Sequence, residues 1–148
     1  MEYNHSNALT HLMKHVLKLY RHNVDRLIQE YDVFPGQPPL LLRLSDKDGQ
    51  MQKELANSMH IQPATLTVMI TRMEKAGLVE RKPDAEDQRV SRVYLTEKGR
   101  FAAGKVKEAL RTIEEQCFRN FSPEEKLLFR RLLLQMHQDL EAGQRDNN

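Results

Sequence analysis

Few residues in this 148-residue chain could do chemistry, and most of them fall on one short stretch. From position 63 onward, Leu66, Met69, Ile70 and Met73 recur at i, i+3, i+4 and i+7, the spacing of a single apolar stripe on a helix. At about 100° per residue, the opposite side carries Ala64, Val68, Thr71 and Lys75, with Thr67 and Arg72 on its flanks. Arginine pairs bidentately with guanine, threonine bonds a base or a phosphate, and alanine or valine packs on a thymine methyl. A short helix that hides Leu, Met and Ile and shows this face suits insertion into a DNA major groove. The rival reading is a winged helix used only for protein contacts, with the same face simply solvated.

Other chemistries find less support. There is no G-x-G-x-x-G, no G-x-S-x-G and no H-E-x-x-H, so no enzyme is expected. His11, His15, Lys18 and His22 share one side of a helix expected over residues 9–31. His11 and His15 could share a metal, but no Cys or nearby carboxylate completes a ligand set there. A solvated or interface face is therefore expected, without metal or cofactor. The single cysteine, Cys117, falls in the apolar stripe Val106, Leu110, Ile113, Cys117 and Phe121, which predicts a buried, inert thiol. Asp46-Lys47-Asp48-Gly49 resembles the start of a calcium loop, but its twelfth position is Asn57, so a turn and helix cap are expected instead.

The elements around the candidate reading helix are legible from turn chemistry. Pro63 suits a first helical position, where a missing N–H costs nothing. A preceding helix over 51–59 should bury Met51, Leu55, Ala56 and Met59, with Asp48 and Gly49 supplying its cap and turn. His60 stands at the turn between the helices, where a positive φ is wanted. After Gly77, a C-cap candidate, residues 79–82 and 90–95 read as two short strands joined by a polar tip at 83–88. That order is a winged helix-turn-helix. Arg89 follows the acidic run Asp84-Ala85-Glu86-Asp87. Asp87 is expected to organise the wing by taking a backbone N–H, or Arg81 or Arg92 across the hairpin, so that Arg89 points outward. The simpler alternative is a local Asp87–Arg89 ion pair.

These residues resemble the MarR family of bacterial transcription regulators. The resemblance is carried by Leu55-Ala56, Ile61, Thr65, the run Arg72-Met73-Glu74-Lys75-Ala76-Gly77-Leu78-Val79, Arg81, and Asp87-Gln88-Arg89 followed by Leu95-Thr96 and Gly99. It covers residues 34–100 closely, and the flanks in helical character and length. It implies a helical protein with a small β-hairpin, whose DNA contacts come from Ala64, Thr65, Thr67, Val68, Thr71, Arg72, Lys75 and, in the minor groove, Arg89. It also implies a homodimer built from terminal helices, and an effector crevice for small aromatic or carboxylate compounds, which Tyr20, Leu41 and Phe101 could line.

The whole chain agrees with this outline. At 39% hydrophobic and 30% charged it is one compact domain, and it lacks a membrane-length apolar run, a signal peptide or the second cysteine an internal disulfide needs, which fits the cytoplasm. Net charge is only +2, but residues 62–100 hold 8 Lys and Arg against 6 Asp and Glu, whereas both flanks balance. The cationic surplus thus falls on the reading helix and wing. Thr96 can cap the long helix after the wing, and Ser122-Pro123-Glu124-Glu125 is a capping box opening a last one. That last helix carries Leu128, Leu132 and Met136 on one side and Leu127 and Leu134 nearly opposite, so it needs a second partner, most simply another copy of the chain. The expected organisation is a winged helix-turn-helix lobe over 34–100 and a dimerisation region over 5–32 and 101–142. The expected function is that of a ligand-responsive repressor binding a pseudo-palindromic operator as a homodimer.

Overall fold

Three of the helices start on proline, where the backbone N–H that the ring removes would have had no helical partner. In the computed structural model, which describes residues 2–146, these are α2 (Pro38–Asp46), α4 (Pro63–Lys75) and α6 (Pro123–Arg145). The other helices are α1 (Leu9–Ile28), continued by a 3-10 turn over Gln29–Tyr31, α3 (Gln52–Met59) and α5 (Glu97–Cys117). His60 closes α3 with φ 54°, as its place in the turn predicts, and Gly77 turns the chain out of α4 with φ 78°.

Three strands, not two, form the sheet: β1 (Gln50–Met51), β2 (Val79–Pro83) and β3 (Ser91–Leu95), antiparallel in the order β1-β3-β2. The hairpin pairs Val79 with Leu95 and Lys82 with Arg92. Met51, expected on the buried face of the first helix of the pair, instead pairs with Arg92 across β1, and α3 begins one residue later. Two residues are too few to show a strand period. Asp48 is not the cap either. Its Oδ1 accepts the Leu95 N–H at 2.9 Å, while the N-cap position of α3 is Met51, with no side-chain cap bond.

A single core runs through the first part of the chain. Leu40, Leu41 and Leu44 of α2, Leu55 and Ala56 of α3 and Leu66, Ile70 and Met73 of α4 meet Val93 and Leu95 of the sheet and Ala102, Ala103, Val106, Ala109 and Ile113 of α5. From α1 only Val24 and Ile28 are buried; Leu9, Leu12, Val16, Leu17 and Leu19 stay exposed. The predicted apolar stripe over 9–31 is therefore covered by this chain only at its C-terminal end.

The chain divides into two compact units, Met1–Ile113 and Glu114–Asn148. In the second, the rings of Phe118, Phe121 and Phe129 meet pairwise with centroids 5.1 to 5.9 Å apart. The capping box is formed: Ser122 Oγ accepts the Glu125 N–H at 3.1 Å, and Glu125 Oε1 accepts the Ser122 N–H at 2.9 Å. Cys117 is exposed, contrary to the burial its stripe predicts, because the buried row along α5 stops at Ile113, one turn earlier. No helix among the described residues is long and apolar enough to cross a membrane.

The start of α5 lies against the backbone that leaves α4. Thr96 Oγ1 accepts the Gly99 N–H at 3.0 Å, and a Cβ on Gly99 would stand 1.9 Å from the Leu78 carbonyl oxygen. Since backbone cannot yield as a flexible side chain does, Gly99→Ala should cost about 1–3 kcal/mol and lower the melting temperature. Gly104, in the same helix, has nothing within 4 Å of its would-be Cβ, so Gly104→Ala should stabilise by about 0.5–1 kcal/mol. Two variants melting alike would remove the packing explanation.

Candidate nucleic-acid interface

Along the outer side of α4, Ala64, Thr65, Thr67, Val68, Arg72 and Lys75 are exposed and Thr71 is half-buried. The two inner threonines are already engaged. Thr67 Oγ1 donates to the Pro63 carbonyl at 3.0 Å and accepts from Gln52 Nε2 at 2.6 Å. Thr71 Oγ1 donates to the Thr67 carbonyl at 2.9 Å and accepts from Arg81 Nη2 at 2.7 Å. A hydroxyl has one proton, and each of these is spent on a carbonyl one turn back. Both can still accept from a base amino group, but neither donates to a phosphate as sequence reasoning allowed. Arg72 and Lys75 have no side-chain hydrogen bond or ion pair among the described residues, so this face pairs fixed hydroxyls with unengaged cations.

Arg81 fastens strand β2 to this helix. Its Nε donates to Glu74 Oε1 at 2.8 Å and its backbone N–H to Glu74 Oε2 at 3.2 Å, while Nη2 reaches both Glu74 and Thr71. The base of the wing is thereby tied to α4.

At the tip, Asp84 makes more of the organising bonds, and Asp87 takes a backbone N–H, the first of the partners expected for it. Asp84 accepts from Arg92 Nε at 2.5 Å and from the backbone N–H groups of Glu86 and Asp87, both at 3.1 Å. The Arg92 guanidinium, followed by these two N–H groups, holds the Asp84 carboxyl below the usual carboxylate range. Arg92 also donates to the Gly49 carbonyl at 2.9 Å, tying the tip to the turn before β1. Asp87 meets neither Arg81 nor Arg92 across the hairpin. Arg81 is taken by Glu74 and Thr71, and the Lys82–Arg92 register sets Arg92 beside the end of β2, next to Asp84. Asp87 accepts the Arg89 Nε at 3.1 Å and, as one alternative expected, a backbone N–H, that of Arg89 at 3.0 Å; the guanidinium first and then this N–H lower the Asp87 pKa. This is the local pair, and the Arg89 side chain is 91% exposed within it. Two of the three tip carboxylates are thus neutralised by their own arginines, which relieves most of the repulsion an acidic tip would offer to phosphate. Asp84, Glu74 and Gln52 were missed from sequence. For Asp84 a signal existed: aspartate at the end of a strand commonly takes the N–H two residues on.

Tyr20, Leu41 and Phe101 do not line one crevice. Leu41 is fully buried in the core, Tyr20 is partly buried against it, and Phe101 is exposed, edge-on to Tyr31 at 5.9 Å with Lys105 Nζ over both rings. An open crevice of about 420 Å³ lies elsewhere, lined by Asp32, Phe34, Pro35, Gln37, Arg72 and Ala76. Two of these residues are held by their own bonds: Gln37 Oε1 accepts the Phe34 N–H at 2.9 Å, and Asp32 pairs with Lys98 at 2.7 Å. On α6, Leu127 is 70% and Leu134 56% exposed, and the opposite row of Leu128, Leu132 and Met136 is exposed as well.

A model of the MarR family matches residues 35–91. The transcriptional regulator HosA of Escherichia coli O127:H6 is 32% identical over 105 residues, covering 71% of this chain and 78% of HosA. The transcriptional repressor IacR of Pseudomonas putida is 25% identical over 123 residues, 83% of this chain and 74% of IacR. Among solved structures, the S. aureus MepR–DNA complex superposes with a TM-score of 0.79 at 21% identity, covering 94% of this chain and 99% of that one. By the HosA similarity, the family match and the winged helix-turn-helix just described, the chain belongs to the MarR family of transcription regulators.

Proposed function

We propose that this DNA-binding regulator is a ligand-responsive repressor that binds a pseudo-palindromic operator as a homodimer, with α4 of each copy in a major groove and Arg89 in the flanking minor groove. The observation that carries the reading is the outer face of α4, where Arg72 and Lys75 are unengaged beside a scaffold fixed by Glu74, Arg81 and Gln52. IacR, a repressor by name, and MepR, whose structure holds DNA, support the two halves of the reading. Half-sites should lie about 10 bp apart.

Arg72→Ala should cost about 1–3 kcal/mol of operator affinity and relax preference at one base, whereas Arg89→Ala should reduce the salt slope by about 1 per subunit without base relaxation. Asp84→Ala should weaken binding despite removing a negative charge, because the tip loses its three bonds. Tighter binding of Asp84→Ala at low salt, or equal wild-type affinity for operator and random duplex, would overturn this account. The reader would be DNA selected from a random pool, measured by fluorescence anisotropy.

The second copy of the chain is assigned to the apolar rows of α6 and the exposed part of α1, within the flanking regions 5–32 and 101–142. Leu127→Asp combined with Leu134→Asp should lower the sedimentation coefficient and, with it, the affinity for a full operator over a half-site. A folded double variant that sediments like the wild type refutes the assignment.

The effector is assigned to the crevice beside Arg72, where Phe34 and Pro35 offer apolar surface to an aromatic ring and Arg72 a partner for its carboxylate. A ligand that engages Arg72 there withdraws it from DNA, so the two compete through one side chain. With benzoate as the probe, Phe34→Ala should keep operator affinity but abolish the ligand's effect on it. Persistence of that effect places the effector elsewhere.

A further inference from the structure

The N-terminal part of α1 has no role in the reading face, the wing or the crevice. It nevertheless brings two imidazoles together. His11 and His15 lie one turn apart, and their Nε2 atoms are 3.2 Å from each other, with ring centroids 4.6 Å apart and planes at 69°. Two nitrogens bound to one zinc at about 2.0–2.1 Å in a tetrahedral array stand about 3.3–3.4 Å apart. At a right angle, as in square-planar or octahedral arrays, the same bond lengths give about 2.8–3.0 Å. The observed spacing falls between these values, so the two Nε2 atoms stand at about the separation a shared cation requires.

We infer that His11 and His15 form a two-toothed chelate for a divalent transition-metal cation of the zinc, nickel or copper class. Imidazole nitrogens without a carboxylate select this class over magnesium and calcium, which demand oxygen. Without the cation, the Nε2–H of one histidine faces the Nε2 lone pair of the other; when the cation binds, the donor ring carries its one proton on Nδ1 instead, so that both rings stay neutral and both Nε2 lone pairs face the cation. Among the described residues no three His, Cys, Asp or Glu side chains converge, so the protein supplies two ligands and water or a small external ligand the rest. His5 stands close by, edge-on to His11 at 6.1 Å, held there by a 3-10 turn in which the Asn4 side chain accepts the Ser6 N–H. Lys14 and Lys18 are the nearest cationic residues along the helix, and both are exposed to screening by solvent. The chelate also has a place to act on the fold. Helix α1 starts with no side-chain cap bond and no acidic residue in its first turn, and a cation bridging i and i+4 fastens that uncapped end.

The test uses the full chain without a purification tag, titrated with zinc chloride or nickel chloride by calorimetry. One cation per chain is expected, with His11→Gln and His15→Gln each weakening binding at least about tenfold. In a chelate the double variant should be little weaker than either single one, since the first loss already opens the ring. His22→Gln, further along the same helix, should bind as the wild type does. Zinc should slow amide exchange over the first two turns of α1 in the wild type and not in His15→Gln, whose exposed position keeps the fold intact. Wild-type affinity in either single variant, an equal loss in His22→Gln, or metal binding that leaves α1 exchange unchanged overturns the site.

Discussion

The end of α4 leaves carbonyl oxygens that its own helix cannot bond, and the way they are satisfied places everything around them. Lys98 Nζ donates to the Ala76 carbonyl at 2.7 Å, Thr96 Oγ1 lies 2.5 Å from the Gly77 carbonyl, and the Thr96 N–H donates to the Leu78 carbonyl at 3.1 Å. Thr96 and Lys98 at the head of α5 thus bond three consecutive carbonyls, those of Ala76, Gly77 and Leu78, and close the tail of α4. The closeness this requires is why position 99 holds glycine. Once α4 and α5 share this junction, β3, which runs directly into it, must lie beside β2, and the hairpin has one place to go.

The same junction explains how so short a helix as α4 is held in place. Its thirteen residues would be marginal alone, but the buried stripe, the tail and the Glu74–Arg81 clamp hold it from three sides. Ordering is completed before any ligand arrives, so association need not immobilise the threonines or the hairpin base. On this side of α4, Arg72 and Lys75 stay unengaged among the described residues, and in the proposed complex their long side chains adapt to a phosphate or a base edge.

Much of this was legible in the sequence because it rests on local rules. Pro63, His60, Gly77 and Ser122 mark ends whose backbone geometry those residues favour, and the Leu66 to Met73 row marks a buried face by period alone. Wing chemistry was legible only in part, because an aspartate choosing between Arg89 and Arg92 is decided by strand register, and a one-residue change in register changes the partner. The third strand was invisible because two residues carry no period. Leu41 went astray for a different reason: apolar character marks a residue as buried without saying whether it lines a core or a crevice. Cys117 failed because a stripe on a long helix can continue past the end of the core that covers it.

Helix α6 has 23 residues and none of them is buried within the chain. A capping box and four helical turns of leucine do not by themselves stabilise a segment of that length, since helix formation in water is only weakly favourable residue by residue. In the proposed homodimer its order is coupled to the copy that covers the leucines, and folding of this segment and association are one equilibrium rather than two. On that proposal stability here rises with protein concentration, and dilution acts on α6 as a denaturant does.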